Sequence, residues 1–244
     1  MGRELAEFYL AIGLPLVEGY GLTEGGVVTL NPLDRPRPGS IGKPLPGVQA
    51  RVAEDGELLI ASPTLFSGYL RDSPATAQAL RAGWLHTGDT AEIDSEGYIF
   101  ITGRKKDLIV ASSGQKIFPS LLESHFHMEP IISHILLVGD RRPYVTALIT
   151  VNTAVAEALE GMASYKGKPA EEIARAAPVL AEVERAVHRV NQRLAPFEQI
   201  RRYRVLDRDF TTEDGELTAT LKLRRGRLLE KYRAEIQDLY SPKM

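Results

Sequence analysis

Apolar positions first recur at helical spacing. Leu5, Phe8, Tyr9 and Ile12 lie three and four residues apart, which predicts a helix over residues 4–12, with Gly13 as its stop. Short strands are expected at residues 16–18 and 27–30. Between them EGYGLTEGG, residues 18–26, has four glycines in nine positions. Such a run is either a tight turn or a backbone that something approaches closely, and the residues alone favour the turn. Residues 31–47 hold five prolines and three glycines and predict an extended loop. Apolar runs at 48–53 and 57–61 flank Asp55-Gly56, a hairpin signal. Residues 73–82 predict a short helix with Ser73 as N-cap and Pro74 in its first turn. A second hairpin is expected between 91–93 and 98–102, across Ser95-Glu96-Gly97.

Beyond residue 103 the pattern alternates strand and helix. Residues 107–111 read as a buried strand before the turn Ser112-Ser113-Gly114. Pro119 opens a helix carrying Leu121, Leu122 and Phe126. Strands follow at 135–139 and 144–151, then a helical stretch over 154–195 with Val179, Val183, Val187, Val190 and Leu194 on one face. A strand at 202–206, a polar turn at 211–217 and a last helix over 222–240 complete the chain. This order predicts an α+β class. Residues 40–103 form a small β-rich subdomain, and residues 108–244 a separate small α+β domain.

Composition adds exclusions. With 43% hydrophobic and 25% charged residues the chain is ordinary for a globular protein. It has no cysteine, which excludes disulfides, thiolate metal sites and cysteine nucleophiles. No apolar run reaches the ~20 residues of a membrane span, and residues 1–13 lack a signal-peptide pattern, so a cytoplasmic location is the default. Residues 1–103 carry 7 Lys and Arg against 13 Asp and Glu, whereas 104–244 carry 23 against 19. The sign of the charge therefore changes at Arg104, which suggests two units. The basic excess is too small, and too poor in interleaved aromatics, for nucleic-acid binding. His125 and His127 stand at i and i+2 and do not share a helix face, which argues against a metal site. Ser113 lacks the Gly-x-Ser-x-Gly context of a nucleophile elbow.

Four motifs in order give the chain its chemistry: Tyr20-Gly21-Leu22-Thr23-Glu24; Thr87-Gly88-Asp89; Gly103-Arg104-Lys105-Lys106-Asp107; and LTATLKLRR, residues 217–225. Singly each is bland. Asp89 is a turn residue, Glu24 an exposed carboxylate, and Lys222 one cation among Arg224, Arg225 and Arg227. Together and in this order they resemble the adenylate-forming (AMP-binding) superfamily, in its long-chain fatty acyl-CoA synthetase branch.

That resemblance implies roles residue by residue. Tyr20 and Gly21 flank adenine, and Thr23 contacts the adenylate phosphate. Glu24 helps hold Mg²⁺, which takes hard oxygen ligands. Asp89 accepts hydrogen bonds from the ribose hydroxyls, and Arg104 reaches ribose and phosphate. Lys106 is the hinge residue within 104–107, about which the C-terminal domain rotates. Lys222 is the catalytic lysine, an ammonium that neutralises charge during attack on the α-phosphate. Ser113 and Gly114 line the passage for CoA. One position departs from the pattern. Ala219 stands where the branch usually has proline, which is expected to loosen the turn but leave the ammonium in reach. Leu221 replaces a glycine common elsewhere in the superfamily, which favours the long-chain fatty acyl branch.

The implied reaction is ATP-dependent adenylation of a fatty carboxylate, then thioester formation with CoA. The family's Ser/Thr/Gly-rich phosphate loop and most of its acyl pocket have no counterpart here. Residues 1–39 resemble the end of its large N-terminal α/β domain, so the expectation is a C-terminal portion. Residues 1–39 would then expose apolar surface, covered by an N-terminal half or by homo-oligomerisation. Two alternatives stay open: a non-catalytic module that assembles with a separate N-terminal half, and adenylation of an aryl or amino acid.

Overall fold

A computed structural model describes residues 3–241, the Glu4 side chain apart. Residues 1–2 and 242–244, the outer limits of the expected domains, lie outside the described residues. The backbone forms two compact units, one running to Lys106 and the other beginning at Asp107.

The first unit opens with helix α1 (Arg3–Ala11). Strands β1 (Gly19–Leu22), β2 (Gly26–Leu30) and β3 (Lys43–Pro44) form an antiparallel sheet in that order. The expected strand at 16–18 is not formed; the strand lies just after it, within the glycine run. Glycine is required there because β1 and β2 nearly touch. A Cβ at Gly21 would lie 2.7 Å from the carbonyl oxygen of Gly26. The close approach is thus made by the chain's own next strand.

A second sheet contains β4 (Gln49–Val52), β5 (Glu57–Ala61), β6 (Leu80–Arg81), β7 (Trp84–Ile93) and β8 (Ile99–Arg104). Its order is β4-β5-β7-β6, with β8 also paired to β7. Both expected hairpins form, β4–β5 and β7–β8. Between β5 and β6 lies helix α2 (Ser73–Ala79). Its N-cap is Asp72, whose carboxylate accepts from Ala75 N, and not Ser73. Val28, Leu58, Ile60, Ala91 and Ile99 pack into one core, so residues before and after position 40 share it. Phe8, Ile12, Leu14, Val27 and Leu33 stay exposed.

In the second unit a short hairpin, β9 (Ile109–Val110) with β10 (Lys116–Ile117), leads to helix α3 (Pro119–Ser124). The main sheet follows: β11 (Ile132–Val138) and β12 (Val145–Val151) are antiparallel. After helices α4 (Thr153–Glu157), α5 (Ala170–Ala174) and α6 (Ala177–Asn191), β13 (Ile200–Val205) adds to β12 in parallel. The expected helical stretch over 154–195 is filled by these three helices and a 3₁₀ turn at Ala163–Tyr165. β12 is buried at every position, the mark of a strand covered on both faces. Ala147 and Ile149 face Val179, Val183 and Val187 of α6, while Leu148 faces the other side. There it meets helices α7 (Arg225–Lys231) and α8 (Arg233–Tyr240) through Leu228, Ile236 and Leu239.

The last helix therefore starts later than expected and is broken at Tyr232. That residue has φ −99° and ψ 28°, and its hydroxyl donates to the buried Glu216 at 3.0 Å. Among the described residues no helix is long and apolar enough to cross a membrane.

Candidate functional site

β7 pairs with β5 in two registers. Glu57 faces Thr90, yet Leu59 faces His86. One residue of β5 therefore opposes Thr87, Gly88 and Asp89, so the Thr-Gly-Asp motif is a bulge in β7. Bulges re-aim side chains, and Gly88 supplies the left-handed backbone it needs, φ +71°. Thr87 fastens the bulge: its Oγ1 donates to Leu58 O at 2.8 Å and accepts from Asp89 N at 3.1 Å.

The bulge brings three distant residues together. The Tyr20 hydroxyl donates to Asp89 Oδ2 at 2.5 Å, and Arg104 Nε lies 2.7 Å from Asp89 Oδ1. Asp89 and Arg104 are also cross-strand partners of β7 and β8. Asp89 is 5% exposed. Burial, then the bond to the Asp89 carboxylate, holds the Tyr20 phenol far above its ordinary pKa. Each carboxylate oxygen has two lone pairs, so Asp89 keeps acceptor capacity beyond these two partners.

Glu24 sits at the turn between β1 and β2, with Thr23 exposed beside it. Its Oε1 accepts from the Tyr69 hydroxyl at 2.7 Å, and its carbonyl oxygen from Phe66 N at 2.7 Å. No cluster of three or more metal-ligating side chains exists among the described residues. A lone, partly exposed carboxylate still fits Mg²⁺, which commonly takes one or two carboxylates and completes its shell with substrate phosphates and water.

Tyr69 was not visible as a site residue in the sequence, and neither was Glu57. Glu57 is 5% exposed. Its Oε1 accepts from Gly88 N at 2.9 Å, and its Oε2 lies 3.1 Å from Lys105 Nζ and 3.2 Å from His86 Nδ1. Lys105 Nζ also reaches Asp55 at 2.6 Å. Burial opposes ionisation of Glu57, but the donors His86, Lys105 and Gly88 outweigh it and hold the carboxyl below its usual range. These residues, with Tyr69 and Arg81, line an open cleft of about 750 Å³.

Lys106 belongs to a 3₁₀ turn over Lys105–Asp107 and is the last residue of the first unit. In the second unit, Ser113 and Gly114 form the tip of the β9–β10 hairpin. Gly114 has φ +85°, Gly114 N donates to Ala111 O at 2.8 Å, and Ser113 Oγ bonds Gln115 Oε1 at 2.7 Å.

Lys222 lies in a tight turn between the bridged residues Leu217 and Leu223, ahead of α7. It is exposed, and its ammonium has no ion pair or hydrogen bond among the described residues. Ala219 does not leave the turn open. Thr218 N donates to Lys222 O at 2.8 Å, Lys222 N to Thr218 Oγ1 at 3.0 Å, and the Thr218 and Thr220 hydroxyls lie 3.0 Å apart.

Residues 106–243 match the AMP-binding enzyme C-terminal domain, and residues 1–70 match the AMP-binding enzyme family. The long-chain-fatty-acid–CoA ligase FadD15 of Mycobacterium bovis is 39% identical over 246 residues, 99% of this chain and 40% of that ligase. The chain thus spans about 40% of that relative's length. Among solved structures, the adenylation domain of a carboxylate reductase from Mycobacterium chelonae has the same fold. Its TM-score is 0.79 at 22% identity, covering 99% of this chain and 37% of that one. The O-succinylbenzoate coenzyme A synthetase of Bacillus subtilis, solved with ATP and magnesium, superimposes with TM-score 0.69 at 24% identity, covering 93% and 44%.

Proposed function

Because the chain belongs to the AMP-binding enzyme family, we propose that it is the nucleotide-binding edge and C-terminal part of a long-chain fatty acid–CoA ligase. The carrying observation is the meeting of Tyr20, Asp89 and Arg104 from three separate segments around one buried carboxylate. The substrates are ATP, a fatty carboxylate and CoA. Asp89 accepts from the ribose hydroxyls. Arg104, its cross-strand partner, reaches from ribose to phosphate. Tyr20 and the bare backbone at Gly21 lie along the adenine, and Thr23 meets the adenylate phosphate. Glu24 would hold Mg²⁺, which supplies charge neutralisation at the phosphates.

Lys222 presents its ammonium on an exposed turn, without an ion pair among the described residues. It offsets the negative charge that builds when the fatty carboxylate attacks the α-phosphorus and pyrophosphate leaves. Rotation about Lys106 then separates the two half-reactions, and the hairpin tip at Ser113 and Gly114 borders the passage of the CoA thiol. An N-terminal half, on the same chain or a separate one, supplies the acyl pocket and the remaining phosphate contacts.

The test is fatty acid-dependent pyrophosphate release from ATP and Mg²⁺, by the 244-residue chain alone and with an N-terminal half from a relative. Lys222→Ala is expected to lower the rate on the order of 100-fold. An active preparation indifferent to Lys222→Ala sinks the catalytic role. Inactivity under both conditions, with AMP still bound, favours the non-catalytic module.

A further inference from the structure

We infer that Glu57 is a positioning residue for the ribose site, a role that rests on the reading of Asp89 and Arg104 given above. One buried carboxylate brackets the pair. Oε1 takes the N–H of Gly88, the residue before Asp89, and Oε2 takes the ammonium of Lys105, the residue after Arg104. Asp89 and Arg104 face each other across β7 and β8, so both ends of the constellation are fastened to a single side chain on β5.

The local backbone needs such a fastener. At the bulge Gly88 has no partner residue opposite it in the β5–β7 register. Its N–H would otherwise lack the ladder bond that a regular strand provides. Asp89 is redirected by this bulge, and an Asp89 free to follow a relaxed strand would lose its bond to Tyr20 as well as its ribose partner. Lys105 adds a second restraint. Its ammonium spans Glu57 and Asp55, at 3.1 and 2.6 Å, and so anchors the end of β8 beside Arg104. Among the described residues Glu57 forms no hydrogen bond or ion pair with Asp89 or Arg104; its partners are their chain neighbours Gly88 and Lys105.

The test compares calorimetric binding of AMP and of 2′-deoxyadenosine 5′-monophosphate to the full chain, Glu57→Gln, Glu57→Ala and Asp89→Asn. A merely structural defect weakens both nucleotides alike, whereas misplacement of Asp89 erases the preference for the ribonucleotide. In Glu57→Ala that preference is expected to fall about tenfold, as for loss of a buried charge-assisted hydrogen bond. Glu57→Gln keeps the shape and an acceptor for Gly88 but loses the Lys105 arm, so it falls less. Glu57 variants with undiminished preference, alongside a collapsed preference in Asp89→Asn, overturn the positioning role alone. Equal preference in all four proteins overturns the ribose reading and the positioning role with it.

Discussion

Leu221 stands at φ +58° with a side chain 66% exposed. Left-handed backbone costs an L-residue about 1–2 kcal/mol, and this exposed leucine has little burial to offset it. The strain belongs to the turn that presents Lys222, at the position where the wider superfamily commonly has glycine. Leu221→Gly is expected to raise stability by about 0.5 kcal/mol, the strain relief less the unfolded-chain entropy that glycine adds. Urea denaturation measures it, and a lower midpoint would mean that the leucine packs in a way its exposure belies.

Glu216 behaves oppositely. It is fully buried and receives Arg208, Lys231, Tyr232 and Thr211 N. Burial opposes its charge, but those donors win and hold the carboxyl at about 2. Its stabilisation is therefore complete above the unfolded carboxyl pKa near ~4.3 and fades as pH falls toward 2. Glu216→Gln should cost about 2 kcal/mol at pH 7, less than a fully buried pair because both cations are partly exposed. The cost should shrink steadily between pH 4 and 2. A pH-independent difference would assign it to packing rather than charge.

At the scale of elements, helix α2 offers a clean comparison. Asp72, not Ser73, caps it, and α2 buries none of its residues. Asp72→Ala should destabilise by about 1 kcal/mol and Ser73→Ala by very little, read as separate shifts in thermal unfolding. The two residues are adjacent and both are good caps, and sequence pattern alone could not choose between them. Elsewhere the pattern was sufficient where local chemistry decides. Asp55-Gly56 marked the β4–β5 hairpin, and the valine spacing marked the buried face of α6. It failed where a distant partner decides. β1 was hidden because its glycines answer to β2. The break at Tyr232 answers to Glu216, sixteen residues away. At the site, Asp89 and Arg104 were legible from their motifs, whereas Glu57 reads in sequence only as the first residue after a turn. Its role exists only because the β7 bulge places an unpaired N–H against it.

For the whole molecule, the charge sign changes at Arg104, beside the boundary that the backbone itself draws after Lys106. Each unit has its own core. Val28, Leu58, Ile60, Ala91 and Ile99 serve the first. The second has the clusters on the two faces of β12. Units with separate cores unfold as separate cooperative steps when few contacts cross between them. The chain contains its own probe for this. Trp84 is the single tryptophan and lies in the first unit, where the Arg51 guanidinium stacks on it at 4.2 Å. Tryptophan fluorescence therefore reports the first unit alone, while far-UV circular dichroism is dominated by the helices α4 to α8 of the second. The smaller core belongs to the first unit, and its midpoint in urea should come lower. The two probes should give non-coincident curves, and a fragment of residues 107–244 should reproduce the later transition. Coincident curves in the full chain would show that the units fold as one, and the rotation proposed at Lys106 would then have to work against a cooperative structure.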